Sequence, residues 1–122
     1  MGKTAMLRRL VRETMQSVPG ETYHRSAAPD AVYPYKVYTL RSVSFTEDRD
    51  DFDLCVDIWG RGDWKIVEEI ADQIEGLFQN SNLPQEHILP TFFRDSRHNL
   101  EDPDKTMQHI QLRFQVQLCY IT

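Results

Sequence analysis

The segment His109–Thr122 constrains the fold of this chain more than any other part of the sequence. Apolar and polar residues alternate in it with a strict period of two, which places successive side chains on opposite faces of an extended chain. The segment therefore predicts one long strand with a buried face. The apolar residues are Ile110, Leu112, Phe114, Val116, Leu118 and Tyr120. The opposite face has little charge and is rich in glutamine, which both donates and accepts hydrogen bonds, so it suits contact with a neighbouring subunit as well as with water.

The length of 122 residues predicts a single domain spanning residues 1–122. The net charge of −5 and the pI near 5.3 argue against binding to a phosphate backbone, which requires clustered Lys and Arg. The basic residues Lys3, Arg8, Arg9 and Arg12 spread over a predicted helix, which favours a solvated surface over a nucleic-acid patch. The N-terminal segment has charges at every turn and no long apolar run. The sequence therefore predicts no signal peptide, no membrane span and synthesis in the cytoplasm.

Apolar spacing predicts two helices, at Lys3–Ser17 and Trp64–Gln79, each with one apolar stripe. Asp63 has the position and chemistry of an N-cap for the second helix. Pro90 indicates an edge position or a bulge in its strand. The predicted strands are a short one at Tyr23–Ser26 and longer ones at Tyr35–Ser44, Phe52–Trp59, Ile88–Arg97 and the terminal segment, with a hairpin joining the second and third. We therefore expect an α+β fold in which a four- to five-stranded antiparallel or mixed sheet has two helices packed on one face.

No group of residues has the spacing of a catalytic or metal site. The acidic turn at Glu47, Asp48, Asp50 and Asp51 lacks the spacing and central glycine of a calcium-binding loop, so it is interpreted as a solvated hairpin tip. The four histidines are scattered without metal-ligand spacing. The serines lack a nucleophile-elbow context, and neither cysteine has neighbours that would lower its pKa. We therefore expect no enzymatic activity, no metal and no cofactor.

Two tryptophans, Trp59 and Trp64, bracket the turn that ends the third strand. One interpretation is that they anchor the strand end and the helix start. The other is that they contact another chain together with Arg61, because aromatic residues and arginine are enriched in interfaces. The sequence leaves both interpretations open.

The order of these elements resembles that of the tail terminator family of long-tailed phages and prophages, the tail-completion or tail-to-head joining proteins. The resemblance rests first on Tyr-Pro-Tyr-Lys-Val at Tyr33–Val37, followed about twenty residues later by Val-Asp-Ile-Trp at Val56–Trp59 and then by the second helix. It continues through the late strand at Thr91–Arg97 and the terminal strand at Ile110–Val116, so it covers nearly the whole chain.

The resemblance implies a structural role as a homo-oligomeric ring, commonly a hexamer, that caps the tail tube once its length is set and joins it to the head connector. The implied partners are further copies of the chain, the tail tube protein and the head connector or another neck protein, with DNA only passing through the lumen. The implied location is the host cytoplasm during assembly and the tail–neck junction of the virion. The candidate interface residues lie in four places. They are Gln111, Arg113, Gln115 and Gln117 on the polar face of the terminal strand, Trp59 and Arg61 at the turn before the second helix, Glu47, Asp48, Asp50 and Asp51 in the acidic turn, and Asp102 and Lys105 in the loop Asn99–Lys105.

Two alternatives remain open at this point. Another neck protein, such as a head-completion or adaptor protein, would have the same features. A small ligand-binding or regulatory α+β module would instead need a concave pocket between the second helix and the sheet, lined by residues such as Trp64 and Phe78.

Overall fold

The computed structural model describes residues 2–45, 49–78, 81–82 and 88–120. The described elements, in chain order, are α1 (Lys3–Gln16), β1 (Glu21–His24), β2 (Tyr35–Phe45), β3 (Arg49–Arg61), α2 (Trp64–Phe78), β4 (Ser81–Asn82), β5 (Ile88–Leu100) and β6 (Met107–Tyr120). The sheet has the strand order β1-β2-β3-β6-β5-β4. β1 is parallel to β2 and every other pair is antiparallel, so the sheet is mixed. The predicted α+β class is confirmed, and the two-residue β4 is the strand beyond the five predicted.

The two helices lie on the same face of the sheet because their apolar stripes and one face of the long strands meet in a single core. α1 packs closest to β1, at one lateral edge of the sheet. α2 packs across β3, β6 and β5, towards the other edge. The core residues from the helices are Leu7, Val11 and Met15 of α1 and Val67, Ile70, Ala71, Ile74 and Phe78 of α2.

The strand predicted from strict alternation, β6, is a central strand of the sheet. It pairs with β3 on one side and with β5 on the other. Its residues Ile110, Leu112, Phe114, Val116 and Leu118 are at most 1% exposed and face the helices. The predicted buried face is therefore confirmed, and β6 supplies the middle of the core.

The polar end of β5 extends to Leu100, three residues beyond the predicted end at Arg97. A register shift between Arg94 and Ser96 resets the alternation within this strand. β4 pairs with β5 only at two positions, so within the described part of the chain the rest of the outer edge of β5 has no strand partner. The edge character predicted from Pro90 fits this arrangement.

The start of α2 is fixed by two local contacts. The backbone N–H of Lys65 donates to Asp63 Oδ1 at 2.9 Å, which confirms the predicted N-cap. Gly60 in β3 lies so close to α2 that a Cβ atom at this position would be 2.3 Å from Val67 Cγ2. The glycine therefore allows the first turn of the helix to pack directly on the strand.

The loop after α1 is held by a buried lysine. Lys36 lies on the helix-facing side of β2 and is fully buried. Its Nζ donates to the carbonyl oxygens of Val18 at 2.9 Å and Pro19 at 3.0 Å, and also to that of Gly20. Burial lowers the pKa of Lys36 to about 8, although the carboxylate of Glu21 acts in the opposite direction. Alternation in the sequence assigns Lys36 to this face but does not show that its charge would be buried.

A charge cluster joins α2 to β5. Glu75 of α2 is only 8% exposed in its side chain, and its Oε2 lies 2.9 Å from Arg94 Nε. Arg97 Nη1 lies 2.7 Å from both Glu75 Oε1 and Asp72 Oδ1. Both arginines lie after the apolar part of β5, where the strand turns charged side chains towards the helix.

No helix in the described part of the chain is long and apolar enough to cross a membrane.

Candidate assembly interface

The sheet face opposite the helices is called here the open face. β2, β3, β6 and β5 contribute side chains to it in matched rows. The candidates Gln111, Arg113, Gln115 and Gln117 all lie on this face, as the alternation predicted. Arg113 and Gln115 are exposed, and the two outer glutamines are half-buried. Their proposed role in an interface stays a prediction.

The rows of the open face follow the strand register. In the order β2, β3, β6, β5 they are Tyr35–Trp59–His109–Leu100, Val37–Asp57–Gln111–His98, Thr39–Cys55–Arg113–Ser96, Arg41–Asp53–Gln115–Phe93 and Ser44–Asp51–Gln117–Thr91. Arginines neutralise aspartates in this array: Arg41 Nη2 lies 2.7 Å from Asp53 Oδ2, and Arg49 Nε lies 3.0 Å from Asp51 Oδ1. The open face is therefore polar and rich in paired charges.

A hydrogen-bonded cluster occupies one end of the open face. His109 Nε2 lies 2.6 Å from Asp57 Oδ1, and the Gln111 amide donates to the same oxygen at 3.1 Å. The Trp59 ring stacks on the His109 ring, with centroids 3.8 Å apart and planes 16° from parallel. Burial alone would raise the pKa of Asp57. The hydrogen bonds from His109 and Gln111 outweigh it, so the pKa of Asp57 lies below its ordinary value.

The cysteine beside this cluster is not activated. Cys55 Sγ lies 3.8 Å from Asp57 Oδ2. Burial first, and then the Asp57 carboxylate, raise the pKa of the Cys55 thiol to about 11, although Arg113 acts in the opposite direction. The thiol is therefore protonated at neutral pH, and a protonated thiol is a weak nucleophile. Both Cys55 and Cys119 are free thiols.

The acidic turn divides into separate parts in the structure. Glu47 and Asp48 lie outside the described residues. Asp50 forms an ion pair with Lys3 of α1, at 3.1 Å between Oδ2 and Nζ, so it is on the helix side of the sheet. Asp51 lies on the open face beside Ser44, whose Oγ donates to it at 3.0 Å. Of the two described residues, Asp51 lies beside Gln117 on the open face, whereas Asp50 faces the helices.

The remaining candidates lie at the opposite end of the strands. Trp59 is half-buried in its stack on His109, so its position agrees with the anchoring interpretation. Arg61 lies over the Tyr33 ring at 5.1 Å, and its Nη2 is 3.7 Å from Asp104 Oδ2. The loop that contains Asp104 also presents the candidates Asp102 and Lys105, and these two line a surface cavity of about 180 Å³ together with Trp64, Leu100, Glu101 and Met107. Arg61 and this loop therefore form one surface, separate from the hairpin end.

The pocket required by the ligand-binding alternative is filled by side chains. Phe78 is fully buried, and its ring lies 4.7 Å from that of Phe92 and 5.6 Å from that of Phe114. Trp64 is 37% exposed at the start of α2 and does not share this environment. Among the described residues, no group of three or more His, Cys, Asp or Glu side chains could hold a metal ion.

Sequence reasoning missed the pairing of Asp57 with His109. The two residues come from strands separated by the whole of α2 and β5, and only the register of β3 on β6 makes them neighbours. Alternation places each on a polar face but does not give the register. The different charges of α1 and α2, in contrast, could have been found by counting charged residues in each predicted helix.

The chain belongs to the family of the tail completion protein gp17, whose model matches residues 4–118. This match confirms the predicted resemblance to phage tail-completion proteins. It assigns the chain a structural role in a phage tail.

Solved structures share the fold at low sequence identity. A chain from the virion of a native gene transfer agent (GTA) particle is similar with a TM-score of 0.63 and 8% identity, covering 90% of this chain and 84% of that chain. A second solved structure is similar with a TM-score of 0.68 and 11% identity, covering 98% of this chain and 94% of that chain. At these identities the likeness shows the fold alone. No curated protein matches the chain.

Proposed function

We propose that this protein is a tail terminator, which forms a ring, commonly six-fold, that caps the completed tail tube and joins it to the head connector. The observation that carries the proposal is the match of the tail-completion family over residues 4–118. The whole chain, residues 1–122, acts as one tail-terminator-like domain. It is made in the host cytoplasm and ends at the tail–neck junction of the virion.

The architecture supports a ring because the two lateral edges of the sheet differ. β1 forms one edge, with α1 packed beside it, and the long β5 lies towards the other. Contact between two different surfaces of identical chains is heterologous, and it closes into a ring when the rotation per copy divides a full turn. A ring of this kind needs no symmetric patch on the subunit.

The open face and the strand ends supply the remaining contact surfaces of the terminator. The open face, with Gln111, Arg113, Gln115 and Gln117, is a subunit or lumen surface. Asp51 and Asp53 on this face are paired with Arg49 and Arg41, so a lumen lined by it would pass DNA with part of its positive charge already neutralised. The surfaces that meet the tube protein and the connector are the hairpin end, with Glu47, Asp48, Asp50 and Asp51, and the opposite end, with Trp59, Arg61, Asp102 and Lys105.

Another neck protein of the same family type remains the second candidate, because the match to a tail-completion family does not separate positions along the neck. The ligand-binding module receives no support, since Phe78 fills the space in which its pocket was expected.

Deletion of the gene for this chain from the phage or prophage that encodes it tests the proposal. We expect tubes without a defined end structure, and filled heads that are not joined to tails, when lysates are imaged by negative-stain electron microscopy. Addition of the purified chain to these lysates should restore joined particles and should label one end of each tube.

The position of the label separates the two candidates. Binding to free tube ends in the absence of heads supports the terminator. Binding only to heads identifies a head-completion or adaptor protein instead. Normal particles in the deletion lysate would contradict both assignments.

A further inference from the structure

The two helices have opposite charge. α1 contains four basic residues and one acidic residue, whereas α2 contains four acidic residues and one lysine. Their net charges of +3 and −3 are equal in magnitude within a chain of net charge −5. The basic residues of α1 are Lys3, Arg8, Arg9 and Arg12, and the acidic residues of α2 are Glu68, Glu69, Asp72 and Glu75.

The topology places the two helices towards opposite lateral edges of the molecule. Asp72 and Glu75 are paired with arginines of β5, so Glu68 and Glu69 are the acidic residues of α2 that remain for contact with a neighbour. Arg8 lies close enough to β1 for its charge to lower the pKa of His24, where burial has the larger effect. Asp72 reaches Arg97 of β5 at the other edge. Glu68 and Glu69 are exposed and lie one helical turn from Asp72, so they share its side of α2.

The strand directions allow these two edges to meet. β1 is parallel to β2, whereas β5 is antiparallel to β6 and β6 is parallel in direction to β2. A neighbouring copy related by rotation about an axis along the strands would therefore bring β1 alongside β5 in an antiparallel orientation. Within the described residues, the outer edge of β1 has no strand partner, and neither has that of β5 after Phe92.

The β1 edge is also concave. A surface cavity of about 550 Å³ lies between the end of α1, β1 and the loop before β2. Val32 lines this cavity and is 74% exposed, the largest exposure among the large apolar side chains of the described residues. An exposed valine in a concavity at a sheet edge adds apolar area that a neighbouring chain would cover.

We propose that neighbouring copies of this chain meet with the α1–β1 edge of one copy against the α2–β5 edge of the next, and that Arg8 and Arg12 face Glu68 and Glu69 across this contact. The inference rests on the proposed ring and specifies its subunit interface. Opposite charges on the two edges favour head-to-tail contact, while two like edges repel each other. The open face is left uncovered by this contact and lines the lumen.

Charge reversal on each helix tests the interface. The first variant carries Arg8→Glu and Arg12→Glu, which makes both edges acidic. The second carries Glu68→Arg and Glu69→Arg, which makes both edges basic. We expect each variant alone to assemble at least tenfold more weakly than the wild type, measured by light scattering with negative-stain imaging of the same fractions.

Two restorations make the test specific. An equal mixture of the two variants can form a ring of alternating copies, in which every contact again joins a basic edge to an acidic edge. A single chain with all four substitutions has its charges exchanged and its net charge unchanged. Both preparations should form rings again, because only the pairing of the edges matters.

A comparison variant tests the open face, which is the other candidate subunit surface. It carries Arg41→Glu and Arg113→Glu, with the same change in net charge as the first variant, and the edge contact predicts that it still forms rings. Thermal unfolding followed by circular dichroism checks that each variant is folded. If this comparison variant loses assembly while the helix variants keep it, the subunits meet through the open face and the proposed edge contact is wrong.

The outcomes separate the interface from the ring itself. Wild-type rings together with rings from both helix variants overturn the interface and leave the terminator proposal standing. Loss of rings in both variants without restoration in the mixture also overturns it. A wild type that forms rings neither alone nor on tail tubes overturns the ring and the interface together.

Discussion

Replacement of Glu75 by glutamine should destabilise the monomer more than replacement of Asp72 by asparagine, although both carboxylates contact the same nitrogen of Arg97 at 2.7 Å. The two sites differ in burial. The Glu75 side chain is 8% exposed and that of Asp72 is 68% exposed. Comparison of the two variants therefore tests whether burial, rather than distance, sets the energy of these ion pairs.

The magnitude follows from the contacts. Glu75→Gln replaces one acceptor oxygen by an NH2 donor, which cannot accept from an arginine, and removes the negative charge from the other oxygen, so one hydrogen bond is lost and the other is weakened, at a cost of about 1 kcal/mol each. The bond to Arg94 contributes less, about 0.5 kcal/mol, because that side chain is 47% exposed and water screens it. We therefore expect Glu75→Gln to lower the free energy of unfolding by about 1.5 kcal/mol. Asp72→Asn should lower it by at most about 0.5 kcal/mol.

Urea unfolding followed by tryptophan fluorescence measures both effects, at a protein concentration where the chain is monomeric. A loss of about 1.5 kcal/mol lowers the midpoint by about 1 M for a domain of this size. Equal shifts for the two variants would refute the argument from burial. A Glu75→Leu variant as stable as the wild type would show that apolar packing replaces the cluster at no cost, as it does for some buried ion pairs.

Four further substitutions have expected outcomes in the same urea assay. Gly60→Ala should cost about 1–3 kcal/mol because its Cβ would overlap Val67. Gly76→Ala, in α2 with open space around the position, should instead stabilise by about 0.5–1 kcal/mol. The check is that the two glycine substitutions change the free energy of unfolding in opposite directions. Asp63→Ala should cost about 1 kcal/mol through loss of the N-cap, and no change would mean that the cap bond is not made in solution. The pKa of Lys36 is lowered to about 8, so the unfolded chain binds more protons between about pH 8 and its ordinary pKa. Stability should therefore rise with pH in this window, by at most about 1.4 kcal/mol per pH unit, and this rise should be absent in Lys36→Met.

Periodicity alone predicted the elements that dominate this fold. The alternation in β6 and the apolar stripe of α2 each predict a single orientation towards the core, because only one face of each element is apolar and can be buried. The N-cap at Asp63 is equally local and was readable from the sequence. Helix boundaries were within one residue of those observed, since capping and turn residues fix them.

The contacts between elements were not predictable in the same way. β1 pairs in parallel with β2 through a connection of irregular chain, and no local pattern specifies that pairing. Arg94 follows Phe92 at the regular spacing of a strand, but Arg97 reaches Glu75 only because the register shift between Arg94 and Ser96 turns it to the helix side, which alternation alone did not show. Alternation assigned Lys36 to the helix-facing side of β2, but the carbonyl partners that the loop after α1 supplies to its buried charge could not be read from the sequence. Each of these features depends on residues that are distant in the sequence.

The lateral edges, the strand ends and the open face of the sheet point in different directions, so each can make a different one of the contacts that the proposed terminator needs. In the proposed ring, the lateral edges meet neighbouring copies, because that is where α1 and α2 place their opposite charges. The strand ends point along the axis, so the hairpin end and the loop with Asp102 and Lys105 are left for the tube and the connector. We propose that the open face then lines the lumen. Substitutions at Asp102 and Lys105 should therefore impair joining without affecting ring formation, while reversal of Arg8 and Arg12 should prevent the ring itself. Observation of the two defects in separate variants would show that ring closure and axial docking use different surfaces of the chain.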